Sequence, residues 1–272
     1  MNDNTLRKVQ LLQLDMAYFV KKICEENNIE YFLIAGTLLG SVRHKGFIPW
    51  DDDLDIGMLR KDYEKFIKIF NGFSGDKYHL QTWNTEKNYA LPTAKIRLNN
   101  TKYIEQNSYN VNIHHGVYID ILPFDNVPDS SIHRKIHNIK TYILKRLLLS
   151  KFNYELWENN DNLKKFFYSI IKLITKFISS KTLKKSLYKE MTKYNNLITS
   201  KVVTFGGSYG YKKESILKSF FEESRNFIFE EKNFKSFYNY EKYLLHLYGD
   251  FNVLPPEDKR YNRHKIIKIE LD

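Results

Sequence analysis

Three aspartates are set apart by their neighbours. In Trp50-Asp51-Asp52-Asp53-Leu54-Asp55-Ile56-Gly57 acids and hydrophobes interleave, so in a strand Asp53 and Asp55 would project from one face while Leu54 and Ile56 enter a core. The rise of a strand puts those two carboxylates roughly 6–7 Å apart. Half-buried and unaccompanied they would repel at considerable cost, whereas a hard cation between them removes the cost. Magnesium, or manganese in its place, suits such a pair, because it takes one or two carboxylates and completes its shell with water and phosphate oxygens. The competing reading is an acidic surface turn, which has no need of the flanking Leu54 and Ile56. Asp51 and Asp52 are expected to matter less, since Asp52 faces away in a strand and Asp51 precedes it. Further on, Val117-Tyr118-Ile119-Asp120-Ile121-Leu122-Pro123 places a lone carboxylate in an apolar strand. Asp120 there needs a partner or a metal; joined to Asp53 and Asp55 it completes a three-carboxylate metal and catalytic set for phosphoryl transfer.

The stretch before these acids supplies an anion site. Tyr31 to Ala35 reads as a short buried strand, Gly36-Thr37 breaks it into a turn, and Leu38 to His44 reads as the first turns of a helix. Gly36, Thr37 and Gly40 then offer backbone N–H groups at the positive helix end. In Ala94-Lys95-Ile96-Arg97-Leu98, Lys95 and Arg97 share a strand face, which suits a polyphosphate and equally suits solvent. Gly206 to Gly210 lacks the ending of a phosphate loop and reads as a turn. His114 and His115 are adjacent, so in a strand they diverge and make a poor metal pair. Cys24, the only cysteine, reads as packing and excludes an internal disulfide.

The run Gly36–Ile56, GTLLGSVRHKGFIPWDDDLDI, resembles the signature of the LicD/fukutin-type phosphotransferases. The segment around Asp120 is similar to an IDIxP-like stretch of that family, as are Tyr248–Phe251, Leu254–Arg260 and His264 near the C-terminus. The resemblance implies a nucleotidyltransferase fold of the DNA polymerase beta type. It also implies transfer of a phosphorylated alcohol from a CDP-alcohol donor, best known as phosphocholine from CDP-choline, to a hydroxyl of a surface sugar or glycan, with CMP leaving. Acceptors of this kind, in teichoic acid or lipopolysaccharide, are commonly built on lipid carriers at the inner face of the membrane. On this reading Arg43, with Lys45, Lys95 and Arg97, neutralises phosphate oxygens, Asp120 ligates metal and accepts the acceptor's proton, and Arg260 and His264 close over the phosphates or brace the tail. Two rivals share these residues: an enzyme passing a nucleoside monophosphate to a small acceptor, and a catalytically inactive nucleotide-binding protein. A choline site would want aromatic faces, with Trp50, Trp83, Tyr109 and Tyr118 as undivided candidates.

The elements that must position this chemistry follow from periodicity. Leu6, Val9, Leu12, Met16, Phe19, Val20 and Ile23 recur at helical spacing, and Lys61 to Phe70 is a second amphipathic helix. Tyr78–Trp83, Ala94–Leu98, Lys102–Glu105 and Val117–Leu122 have strand composition, Phe227–Phe237 reads as a strand pair, and Tyr240–Leu247 as a helix ending at Gly249. Helix and strand alternation followed by several strands predicts an α+β fold with a mixed sheet flanked by helices. The chain is expected to divide into a catalytic core over 1–131, a basic helical segment over 132–202, and a C-terminal part over 203–272 packing back on the core.

Composition narrows the function classes. Of 272 residues 42% are hydrophobic and 15% aromatic, enough for a core and against disorder. From Ile132 to Lys201 there are 16 Lys and Arg against 4 Asp and Glu, a net of +12, so the rest of the chain, within a total of +11, carries −1. Basicity confined to one segment with no recognised reading module argues against nucleic acid. Within it Leu163, Phe166, Phe167, Ile170, Ile171, Ile174, Phe177 and Ile178 form an apolar face interspersed with Lys164, Lys165, Lys172 and Lys176. Such a face suits a core-facing helix or a peripheral membrane contact. The polar N-terminus lacks the apolar core of a secretory signal, no stretch approaches a spanning helix, and a cytoplasmic location is expected.

Overall fold

The computed structural model describes residues 2–155, 169, 171–262 and 264–271. Its first helix, α1 (Asp3–Glu26), opens where the Asn2 side chain accepts the Thr5 N–H, and buries Val9, Met16, Ala17, Val20, Ile23 and Cys24. That stripe packs into one core with the buried side of a seven-stranded mixed sheet and with α3 (Arg60–Phe70), which contributes Phe66 and Phe70.

The sheet is built outward from β6 (Tyr118–Val127), its longest strand. On one side β2 (Asp55–Leu59) runs parallel to it and is edged by the short antiparallel β1 (Phe32–Leu33). On the other, β4 (Ala94–Leu98) and then β3 (Tyr78–Gln81) pair antiparallel. The second half of β6 takes β7 (Lys201–Thr204), which pairs with β8 (Ser215–Leu217). Alternation sends Ile56, Met58, Ile96, Ile119 and Ile121 into the core, each wholly buried, and leaves Asp55, Lys95, Arg97 and Asp120 for the opposite face. The expected α+β mixed sheet with flanking helices is the fold observed.

Local chemistry accounts for the remaining elements. α2 (Ala35–His44) starts three residues earlier than the expected helix, with Ala35 held at φ 48 by the turn out of β1. β9 (Ser224–Phe229) and β10 (Lys232–Phe237) form a hairpin whose two connecting residues, Glu230 and Glu231, both have positive φ, the twist a tight hairpin requires. α6 (Tyr240–Tyr248) ends at Gly249, φ 71. The basic segment contributes α4 (Ser131–Lys151) and α5 (Ser180–Met191), whose Leu148, Leu149, Leu183, Leu187 and Met191 form a second core with Val127 and Val203. Leu163, Lys164, Lys165, Phe166, Phe167 and Ile170, expected on one amphipathic helix, lie outside the described residues, while 171–176 is helical. The last strand, β11 (Ile266–Glu270), had no sequence-based expectation; it pairs antiparallel with β5 (Lys102–Glu105) apart from the main sheet. No described helix is long and apolar enough to cross a membrane.

Candidate active site at the start of two parallel strands

Asp55 opens β2 and faces Asp120 in register across the parallel pair. Two hydrogen bonds fix this meeting point. The Asp120 N–H donates to the Leu54 carbonyl at 2.9 Å, and the Asp55 N–H donates to Thr37 Oγ1 at 2.8 Å. Leu54 is fully buried beneath them.

Asp53 departs from the expectation that it shares a strand with Asp55. The ladder begins only at Asp55, and residues 51–54 are irregular. The reason is where their carbonyls go: Gln10 Nε2 donates to the Asp51 carbonyl at 2.9 Å and Gln13 Nε2 to that of Asp52 at 2.7 Å. Side chains of α1 thus take the place of a neighbouring strand.

Asp52 also departs from expectation. Instead of facing away it is 1% exposed, and it accepts hydrogen bonds from the Tyr103 hydroxyl and, at 2.8 Å, from His264 Nδ1. The other ring nitrogen, His264 Nε2, lies 3.9 Å from Asp53 Oδ2. Burial works against a charged imidazole, but the bond to Asp52 and the charges of Asp53 and Asp52 outweigh it and lift His264 to about 10. The ring is therefore an imidazolium at neutral pH, wedged between two aspartates and delivered by the approach to β11.

The carboxylates outnumber the cations. Burial, then Asp53 and Asp120, hold the Asp55 carboxyl well above the usual carboxylate range; burial, then Asp53 and Asp52, do the same for Asp51. Asp53 is raised by burial even though His264 pulls it the other way. Lys95 Nζ meets Asp120 Oδ2 at 2.8 Å while resting 3.3 Å from the centre of the Tyr118 ring. Among the described residues no three His, Cys, Asp or Glu side chains are drawn together closely enough to hold an ion as they stand. Asp53, Asp55 and Asp120 nonetheless supply what a hard divalent ion takes: oxygen donors only, with mutual repulsion that a cation would remove.

The other sequence candidates divide into those at this cluster and those occupied elsewhere. Gly36 lies against it, since a Cβ there would come 2.7 Å from Asp51 Oδ2. Thr37 is spent on the Asp55 N–H. Gly40 does not serve as an anion donor: it sits in the second turn of α2, where a Cβ would meet the Gly46 carbonyl at 2.4 Å, so its role is close packing. Arg43 Nη1 donates to the carbonyls of Phe251 and Val253, at 2.9 and 3.4 Å, and so holds the C-terminal loop. Arg97 does share a face with Lys95, but it is 1% exposed and donates to Gln81 Oε1 and the Gly116 carbonyl, which leaves no open side for a polyphosphate. Arg260 donates to the Pro255 carbonyl and lies 5.8 Å over the Trp50 ring, bracing the segment that carries His264. A cleft of about 1350 Å³ opens between α3, the segment after β3 and α5, and none of the clustered aspartates lines it.

Comparison with known proteins bears out the resemblance read from Gly36–Ile56. Residues 28–146 match the family model described as LicD/FKTN/FKRP, nucleotidyltransferase domain, a span that takes in Asp53, Asp55 and Asp120. A lipopolysaccharide cholinephosphotransferase, LicD of Haemophilus influenzae, is 29% identical over 270 residues, covering 96% of this chain and 96% of its own. The human ribitol 5-phosphate transferase FKRP is 40% identical over 48 residues, 18% of this chain and 10% of its own. An uncharacterized protein of Rickettsia prowazekii is 36% identical over 89 residues, 32% of this chain and 34% of its own.

Proposed function

From the match of residues 28–146 to the LicD/FKTN/FKRP nucleotidyltransferase domain model, we propose that this protein transfers a phosphorylated alcohol from a nucleotide-activated donor to a hydroxyl of a glycan or its lipid-linked precursor. The donor class is a CDP-alcohol and the leaving group CMP. The observation that carries the reading is the in-register meeting of Asp55 and Asp120 with Asp53 beside them. Two relatives support the reaction class, one named for cholinephosphate and one for ribitol 5-phosphate. Cholinephosphate is the first choice, because that relative aligns along nearly the whole chain.

Asp53, Asp55 and Asp120 are the residues that would hold magnesium or manganese. When bound, the metal supplies charge neutralisation for the diphosphate and the departing CMP. Asp120 would accept the acceptor hydroxyl's proton as the new O–P bond forms and the bond to CMP breaks. Lys95, already on Asp120, would add positive charge beside the phosphates, and Gly36 and Thr37 in the first turn of α2 would offer them N–H groups, that of Ala35 being held by the Tyr243 hydroxyl. His264 lies beside Asp53, and Asp52, itself held by the Tyr103 hydroxyl, orients the ring.

The test is incubation with magnesium and a panel of CDP-alcohols together with a glycan acceptor, following CMP and the product's mass. CMP release with a phospho-alcohol added to the acceptor is expected. Addition of a nucleoside monophosphate instead would make the protein a nucleotidyltransferase, and donor binding without turnover would make it a binding protein.

A further inference from the structure

Helix α4 turns two different sides to its surroundings. His137, Thr141 and Leu148 face inward and are buried, His137 between Tyr211 and the Glu190 carbonyl. On the opposite side Ile132, Ile136, Ile139 and Ile143 follow one another at steps of three and four residues and are 69, 46, 57 and 51% exposed, which is one continuous ridge on a helix. Aromatic Tyr142 beside them is also exposed. A row of exposed isoleucines on a water-facing helix is costly to solvate and marks a surface with a partner.

Charge says which partner. Ser131–Lys151 contains no Asp or Glu and six Lys and Arg. Lys135 and Lys140 flank the isoleucine ridge on either side and are themselves exposed. A second protein copy would have to bring this basic surface up against itself, whereas an anionic phospholipid surface takes the isoleucines into its acyl boundary and the lysines into its headgroups. We infer that the outer face of α4 is a docking surface for an anionic bilayer, with the helix lying in the interface plane.

The inference stands on the isoleucines and lysines of the outer face of α4 and needs nothing from the carboxylate chemistry, so its test is read without turnover. The full-length protein is co-sedimented with vesicles of equimolar phosphatidylglycerol and phosphatidylcholine and with vesicles of phosphatidylcholine only. Binding to the anionic vesicles, weakened by added salt, is expected. Replacing Lys135 and Lys140 by Gln should weaken it roughly fivefold for each lysine. The triple change Ile136→Ser, Ile139→Ser and Ile143→Ser should abolish it with the thermal midpoint held, because these side chains pack little. Equal sedimentation with both vesicle types, or unchanged anionic binding in both variants, overturns the inference. So does a dimer in solution that the isoleucine variant dissolves, which would assign the ridge to a second copy.

Discussion

Asp55 and Asp120 stand opposite one another on two parallel strands, although they lie 65 residues apart in the chain. Each therefore depends on the other's strand for its place. Replacing Asp53, Asp55 or Asp120 by Asn should lower CMP release by more than ~10²-fold, the scale of the several kcal/mol that a carboxylate-held ion contributes to phosphoryl transfer. Asp120→Asn should reduce kcat more than it weakens donor binding. Near-wild-type rates in saturating magnesium would remove these residues from the reaction.

The same acids should cost stability. Asp55 holds its proton to higher pH in the folded state than in the unfolded one, so stability falls as pH rises from the ordinary carboxylate range toward its folded value. At neutral pH, without metal, Asp55→Asn should raise the thermal midpoint, on a scale of ~2–4 °C per kcal/mol for a chain of this size. Magnesium should raise the midpoint of the wild type by binding the folded state and do so less in the variant. Scanning calorimetry with and without chelator decides; a variant that melts lower than wild type in chelator contradicts the repulsion.

His264 gives a slope of the same sign in a higher pH window. Its folded value of about 10 lies above the ordinary histidine range near 6.5, so its contribution is complete below that range and is lost as pH rises through about 10. The midpoint difference between wild type and His264→Gln should be largest in mildly acidic and neutral buffer and should close above about pH 10. A difference independent of pH would mean that the ring acts only by packing.

Gly36 and Gly40 should separate chemistry from folding. At Gly36 an added methyl meets a carboxylate oxygen of Asp51; at Gly40 it meets the backbone carbonyl of Gly46. Gly40→Ala should therefore destabilise by about 1–3 kcal/mol, as overpacking does. Gly36→Ala can be relieved by swinging Asp51 aside, so activity should drop with little change in urea midpoint. Equal stability loss in both would show that Asp51 is not free to yield.

Much of this was legible because the information is local. Strand, turn and helix over 31–44, the alternation that turns Asp55 to the face opposite buried Ile56, and the lone Asp120 among isoleucines all declare themselves within a few neighbours. Asp52 did not, because what decides its role is Tyr103, 51 residues away, and His264, 212 away. Asp53 was misplaced in the strand because the amides that claim the neighbouring carbonyls come from α1. Alternation put Arg97 beside Lys95 correctly, but periodicity carries no depth: β4 lies inside the sheet between β6 and β3, where Gly116 and Gln81 consume the guanidinium.

Strand β6 carries Asp120 between Ile119 and Ile121, both fully buried on the other face. A slip of one residue along β2 would exchange them, putting an isoleucine among the carboxylates and an aspartate in the hydrophobic layer. There is thus no half-assembled sheet that owns a half-competent centre. Progressive denaturation should extinguish turnover in a single step that coincides with loss of the sheet's circular dichroism signal, with no early fading of activity while the backbone remains intact.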